Sequence, residues 1–113
     1  MRRGEVWLVS FDPTTGDEIG KIRPAVIVSK DSIGLLLLKV IVPITKWQDR
    51  YVGRDWMVRL EPSAENGLSK LSAADTFQMR SLSQVRFIRQ LGTLSDTAMQ
   101  EITAALAIIL NIN

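Results

Sequence analysis

Short runs of apolar and alternating residues recur along residues 1–92 and predict β-strands. The clearest run is residues 4–11 (GEVWLVSF), where Val6 and Leu8 face one side and Trp7, Val9 and Phe11 face the other. Further strands are predicted at residues 24–29, 35–45, 56–60, 73–79 and 88–92, with one short helical turn at residues 81–87. Two polar segments, residues 12–21 and 46–55, interrupt the pattern and predict long loops.

A helix is predicted from Ser95 to about Asn111. Ser95 is a favoured N-cap residue, and Leu94 and Met99 are spaced as a hydrophobic staple around it. Apolar residues then recur at helical spacing, at Met99, Ile102, Leu106 and Ile109. Several strands followed by one terminal helix indicate a mainly β fold with a C-terminal α-helix. The strands would form a small barrel or a strongly bent sheet that the helix caps.

Two segments carry more apolar surface than one small core is expected to bury. Residues 35–45 (LLLLKVIVPIT) are apolar on both faces, and every residue from Ala104 to Leu110 is apolar. Such segments are buried on more than one side, by a helix or by a second subunit. We therefore expect a homodimer.

The composition limits the chemistry available to this chain. Its 113 residues allow one domain, residues 1–113, and 46% hydrophobic with 23% charged residues is ordinary for a globular protein. The absence of cysteine and histidine excludes a disulfide framework and a Cys/His zinc site, and leaves proton transfer to other groups. A net charge of +2 is weak evidence for a nucleic-acid partner. Because the sequence has no long apolar span and no signal-peptide core, we predict a cytoplasmic protein without membrane attachment.

Two residues at strand ends are candidates for contact with phosphate. Arg23 stands before an apolar strand, and Pro24 holds it in an extended conformation from which its guanidinium can reach a phosphate. Thr45 closes the long apolar strand, where its hydroxyl can lie at the mouth of a pocket. Taken alone, each residue equally fits an ordinary strand end.

Two further segments contain candidate RNA-binding residues. In residues 46–54 (KWQDRYVGR), basic side chains alternate with Trp47 and Tyr51, a composition typical of sites that hold single-stranded RNA. The segment AADTFQMR places a carboxylate, Asp75, near Arg80. A solvated loop and a strand with polar edges are the ordinary alternatives.

Taken together, these segments resemble the MazF/PemK family of toxins from bacterial toxin–antitoxin systems. The resemblance lies in GEVWLVSFDPTTGDEIGKIRPAVIVSK, VIVPIT, LSAADTFQMRSLS and RQLGTLSDTAMQEITAALAIIL, which span nearly the whole chain. It implies a small SH3-like barrel with a C-terminal helix, and a homodimer. It also implies cleavage of single-stranded RNA, usually messenger RNA, without metal or cofactor. A cognate antitoxin would bind the toxin, and the complex would bind operator DNA through the antitoxin.

The same resemblance implies a set of site residues. The arginine of RPAV and the threonine of VPIT are catalytic in the family, and they correspond to Arg23 and Thr45. The family usually has an acidic residue before the glutamine of Q-x-R, and here Phe77 occupies that position. The candidate base is therefore Asp75, two residues earlier, or an arginine, as proposed for the family. The residues expected to bind RNA are Lys21, Lys46, Trp47, Arg50, Gln78 and Arg80.

Two alternatives from other functional classes share this fold. One is a CcdB-like poison that inhibits DNA gyrase by binding, although the apolar end of the helix argues against it. The other is a catalytically weak RNA-binding module, which the unusual Phe77 leaves open.

Overall fold

A computed structural model describes residues 1–33 and 37–112, so the predicted start of the long apolar strand at residues 35–36 lies outside the described residues. The described elements are β1 (Glu5–Ser10), β2 (Ile22–Ile27), β3 (Leu38–Lys46), β4 (Met57–Leu60), β5 (Ser72–Asp75), β6 (Arg80–Ser83), β7 (Phe87–Thr93) and the helix α1 (Asp96–Ile109). Short 3₁₀ turns occur at Asp31–Ile33, Asp49–Tyr51, Thr76–Gln78 and Gln84–Arg86. No helix in the described part of the chain is long and apolar enough to cross a membrane.

The strands form one antiparallel sheet in the order β4-β5-β3-β2-β1-β7, and β6 also pairs with β3. β3 is long enough to hold two partners, β6 along Leu38–Ile41 and β5 along Ile44–Lys46. Within residues 1–33 and 37–112 no pairing joins β4 to β7, so the sheet stays open. The mainly β fold with a C-terminal helix is confirmed, but the closed barrel is not formed.

The helix covers one face of the sheet, as its sequence predicts. The Ser95 hydroxyl accepts a hydrogen bond from the Ala98 N–H at 3.1 Å, which caps the first turn. Met99, Ile102 and Ala105 are buried against strand residues. The core on this side also contains Val6, Val26, Val42, Ile44, Val58, Leu60, Leu68, Ala74 and Leu94.

A second core lies on the opposite face of the sheet. It contains Val9, Phe11, Ala25, Ile27, Ile41 and Leu82, with Trp7 and Phe87 packed against it. β3 therefore contributes Val42 to the helix-side core and Ile41 to the second core. The central part of this strand is buried on both faces within one chain, so it is not evidence for a second subunit. Apolar residues that remain exposed at the helix end are Ile108, Leu110 and Ile112.

Two predicted elements differ from the structure. The strand predicted at residues 73–79 ends at Asp75, because the Asp75 carboxylate accepts the Phe77 N–H at 3.2 Å and caps a 3₁₀ turn. Residues 76–79 therefore do not continue the strand, and that part of the prediction was wrong. Residues 81–87 were predicted as a helical turn, but β6 pairs with β3 through Ser83 and only residues 84–86 turn.

Replacement of Gly67 is expected to destabilise the fold strongly. Gly67 has a φ of +68°, and a Cβ there would lie 2.0 Å from the Leu91 carbonyl oxygen on β7. Left-handed strain and the clash together should make Gly67→Ala cost about 2–5 kcal/mol in a denaturant titration. Gly16→Ala is the matched control, since Gly16 has a φ of +59° but nothing within 4 Å of the added Cβ. Equal losses in both variants would contradict the tight packing of this loop on β7.

Candidate active site

Arg23 and Thr45 lie near the ends of two neighbouring strands. β2 and β3 pair Ala25 with Pro43 and Val26 with Val42. This pairing stops two residues before Arg23 and Thr45. On its other edge, β3 pairs Thr45 with Ala73 of β5. The ends of three adjacent strands thus bring Arg23, Thr45 and the segment leading to Asp75 to one end of the sheet.

Thr45 and Asp75 line the same cleft, which has a volume of about 520 Å³. We call it the Thr45 cleft. Other residues that line it are Arg50, Tyr51, Arg54 and Gln78. Thr45 is half-buried, so its hydroxyl group is held by the strand but remains accessible from the cleft. The lining of the cleft therefore includes two hydroxyl-bearing residues (Thr45 and Tyr51), two aspartates (Asp17 and Asp75) and two arginines.

Burial changes the pKa of Asp75 in this cleft. It is 6% exposed, and desolvation by burial raises the pKa of its carboxyl group above the ordinary value of 3.8. Hydrogen bonds from the backbone N–H groups of Phe77 and Gln78, a bond from the Gln78 side chain and the charge of Arg54 act in the opposite direction. A carboxyl group whose pKa lies closer to neutrality is a more effective proton acceptor.

The raised pKa predicts a pH-dependent effect of Asp75→Asn on stability. Because folding disfavours the ionised carboxylate, the wild-type protein loses stability as the pH rises above 3.8 and through the folded-state pKa. The asparagine oxygen still accepts the Phe77 N–H but carries no charge. We expect the variant to gain stability relative to wild type between about pH 3 and pH 7, measured by urea unfolding. Asp55→Asn, at an exposed aspartate, is the control, and a gain that does not change with pH would contradict the assignment.

The loop between β1 and β2 lies over the Thr45 cleft and is held there by Gln78. The Gln78 side-chain oxygen accepts the Ile19 N–H at 2.6 Å, and its amide nitrogen donates to the Asp17 carbonyl oxygen at 3.2 Å. Asp17 and Ile19 also line the cleft. Arg23 is tied to the same loop, since its Nε donates to the Gly20 carbonyl oxygen at 3.1 Å. Gln78 therefore joins this loop to the carboxylate of Asp75.

A row of aromatic and guanidinium groups runs beside the cleft. Consecutive members lie 5.6 to 6.1 Å apart, from ring centroid to ring centroid or guanidinium carbon. We call it the aromatic–arginine row; in order, it contains Arg59, Trp47, Tyr51, Arg54, Trp56 and Phe77. Each guanidinium is placed over ring faces, an arrangement that holds positive charge in a fixed position.

Comparison with known proteins identifies the family. Residues 2–110 match the model of the PemK-like, MazF-like toxins of type II toxin–antitoxin systems. The chain belongs to this family. It is 34% identical over 113 residues to endoribonuclease MazF of Staphylococcus saprophyticus, covering 100% of this chain and 93% of that protein. It is 30% identical over 119 residues to endoribonuclease MazF9 of Mycobacterium tuberculosis, covering 99% and 98%.

Solved structures of MazF proteins share the fold of this toxin-family chain. MazF from Deinococcus radiodurans superposes with a TM-score of 0.82 at 25% identity, covering 98% of this chain and 96% of that one. An endoribonuclease from Mycobacterial species, solved in complex with its cognate antitoxin, has a TM-score of 0.79 at 20% identity, covering 100% and 97%. At that identity the second comparison shows the fold alone.

Some of the predicted site residues of this MazF-like chain lie together in the structure. Thr45, Asp75, Arg50 and Gln78 line the Thr45 cleft, and Arg80 lines a neighbouring cavity. The predicted residues that line neither space are Arg23, Lys21, Lys46 and Trp47. Lys21 and Lys46 are exposed, and the Lys21 backbone N–H donates to the Asp12 carboxylate at 2.9 Å. Trp47 instead packs between Tyr51 and Arg59.

Sequence reasoning named Arg54 only as part of the basic segment at residues 46–54 and gave it no role of its own. Arg54 acts on the Asp75 carboxylate and contacts the rings of Tyr51 and Trp56. The alternation of basic and aromatic residues in residues 46–54 was the only signal for it. The described residues contain no group of three or more acidic, cysteine or histidine side chains placed to share a metal ion.

Proposed function

We propose that this chain is the toxin of a type II toxin–antitoxin system and acts as a metal-independent endoribonuclease on single-stranded RNA, chiefly messenger RNA. The observation that carries the proposal is the meeting of Thr45 and Asp75 in one cleft flanked by Arg50 and Arg54. Membership of the toxin family and the endoribonuclease names of two relatives support it. A cytoplasmic location follows from that substrate.

In the proposed reaction, the ribose 2′-oxygen attacks the adjacent phosphorus and the bond from phosphorus to the 5′-oxygen breaks. The products are a 2′,3′-cyclic phosphate and a 5′-hydroxyl. The Asp75 carboxylate takes the proton of the 2′-hydroxyl, a role that its raised pKa favours. The leaving 5′-oxygen takes a proton from solvent.

Thr45 and Arg23 are proposed to stabilise the negative charge that develops on the phosphoryl oxygens. A hydroxyl and a guanidinium placed before the reaction stabilise such charge without reorganisation. Support comes from their positions near the ends of the neighbouring strands β2 and β3. The Gly20 carbonyl oxygen accepts a hydrogen bond from Arg23 Nε, and this bond leaves the other two guanidinium nitrogens for a phosphate.

The surroundings of the cleft suit an unpaired RNA strand. The aromatic–arginine row gives ring faces for bases and fixed cations for phosphates, the two contacts by which single strands are held. Lys21 and Lys46, both exposed, add positive charge beyond the cleft. In the proposed complex Lys21, Lys46 and Arg50 contact the phosphates, while Trp47 packs against Tyr51 on the side away from the RNA.

Two protein partners belong to this proposal. One is a cognate antitoxin, in keeping with the related endoribonuclease solved in complex with its own antitoxin. Through that antitoxin the pair would also bind operator DNA. The other is a second copy of this chain, and the exposed apolar side chains of Ile108, Leu110 and Ile112 at the helix end support a homodimer.

Induced expression in bacteria, followed by sequencing of cellular RNA 5′ ends, tests the proposed function. We expect growth arrest together with new 5′ ends at a recurring short sequence, and neither effect with Thr45→Val. Growth arrest with broken DNA and unchanged RNA ends would favour a gyrase poison. RNA binding without new ends would favour a non-catalytic RNA-binding module.

A further inference from the structure

Phe77 is the one aromatic side chain that stands exposed among the described residues. It is 70% exposed, whereas the tryptophans, the tyrosine and the other phenylalanines are buried or half-buried. Large aromatic rings left in water lose the free energy that burial would supply. An exposed ring next to an active site therefore calls for a ligand that covers it.

The position of Phe77 is fixed by its neighbours. Its backbone N–H donates to the Asp75 carboxylate at 3.2 Å, which sets the 3₁₀ turn that presents the side chain. Its ring meets Trp56 at a centroid distance of 6.1 Å and an interplanar angle of 75°. Trp56 supports the ring and still leaves most of it open. A ring placed in advance loses little side-chain entropy when a ligand stacks on it.

A second cavity, also about 520 Å³, lies against Phe77. We call it the Phe77 cavity. Pro43, Ile19 and Met79 give it apolar walls, and Arg80 adds a cation. Asp17 and Glu18 line the cavity from the loop between β1 and β2. The Glu18 carboxylate accepts the Thr15 N–H at 2.5 Å and is therefore directed toward that loop. Apolar walls, an exposed ring and an arginine suit a flat heterocycle attached to a phosphate.

The Phe77 cavity adjoins the Thr45 cleft. Both are lined by Asp17, Ile19 and Gln78, so the two spaces lie on either side of the contact between Gln78 and the loop. We propose that Phe77 is the stacking platform of a nucleobase subsite, and that it takes one unpaired base of the RNA next to the cleaved bond. This inference rests on the proposed function and adds a base-stacking residue to it.

Phe77 replacements in a cleavage assay on a short synthetic single-stranded RNA test the subsite. Stacking on one aromatic ring predicts that Phe77→Ala raises KM about tenfold and changes kcat little, while Phe77→Trp restores KM. Val85→Ala is the matched control. Val85 is also the exposed middle residue of a capped 3₁₀ turn, with its N–H bonded to the Ser83 hydroxyl, but it lines neither cavity. A fall in kcat with KM unchanged, or equal effects of both alanine variants, would overturn the inference.

Abasic substitution in the RNA identifies the stacked base. Replacing one nucleotide near the cleaved bond by an abasic ribose should raise KM about tenfold for wild type, with almost no further rise for Phe77→Ala. If the abasic substitution and Phe77→Ala raised KM additively at every position, the subsite would be refuted. Cleavage of the unmodified RNA by wild type would still support the proposed function. If wild-type protein neither binds nor cleaves the RNA, the proposed function and this inference fail together.

Discussion

Thr45→Val is expected to lower kcat for RNA cleavage by about 100- to 1,000-fold with little change in KM. Valine keeps the shape and strand preference of threonine but removes the hydroxyl that lines the cleft beside Asp75. Removing one donor that stabilises developing negative charge typically has an effect of this size. The measurement is single-turnover cleavage of a labelled single-stranded RNA with protein in excess.

Two controls separate chemistry from folding in this experiment. Thr45→Ser retains the hydroxyl and should recover most of the activity. Thr97→Val removes an exposed threonine hydroxyl from the first turn of α1 and should cleave like wild type. Wild-type rates for Thr45→Val, at an unchanged melting temperature, would remove Thr45 from the mechanism.

Arg23→Lys is expected to be nearly as damaging as Arg23→Ala, each lowering kcat/KM by about 100-fold or more. The lysine keeps the charge but loses the planar fork that allows one nitrogen to hold the Gly20 carbonyl while the others reach a phosphate. The same single-turnover assay gives the comparison. Arg89→Ala, which removes an exposed arginine on β7, controls for the loss of one positive charge.

Arg23 also helps to hold the first loop, so its effect has to be distinguished from loosening of that loop. Asp12→Ala removes the carboxylate that accepts the Lys21 N–H at 2.9 Å, and leaves Arg23 and the residues of the Thr45 cleft unchanged. We expect it to lower kcat/KM far less than Arg23→Ala does. Equal losses would mean that Arg23 acts only by positioning the loop.

The sequence predicted the parts of the fold that depend on local pattern. Alternation in residues 4–11 predicted β1 and which of its side chains share a face, and Ser95 with Leu94 and Met99 predicted where α1 begins. These predictions succeeded because an N-cap and a strand period depend on neighbouring residues. The end of β5 was not predicted, because the sequence pattern does not distinguish an aspartate that caps the following turn from an aspartate inside a strand.

The contacts that shape the candidate site could not be predicted, because they join distant parts of the chain. Gln78 binds a backbone N–H that is 59 residues away in the sequence, and a one-dimensional pattern carries no signal for that bond. Arg54 was only one basic residue in a basic loop until the structure placed it beside Asp75. The family resemblance identified Arg23 and Thr45 as candidates, whereas their placement on neighbouring paired strands required the structure.

The chemistry of the RNA product ends tests the central claim most directly. Purified protein is incubated with a synthetic single-stranded RNA in the presence of EDTA, and the fragments are analysed by mass spectrometry. We expect a 2′,3′-cyclic phosphate on one fragment and a 5′-hydroxyl on the other, formed by wild type and not by Thr45→Val. Intact RNA, or fragments with 3′-hydroxyl and 5′-phosphate ends, would contradict attack by the 2′-oxygen in the Thr45 cleft.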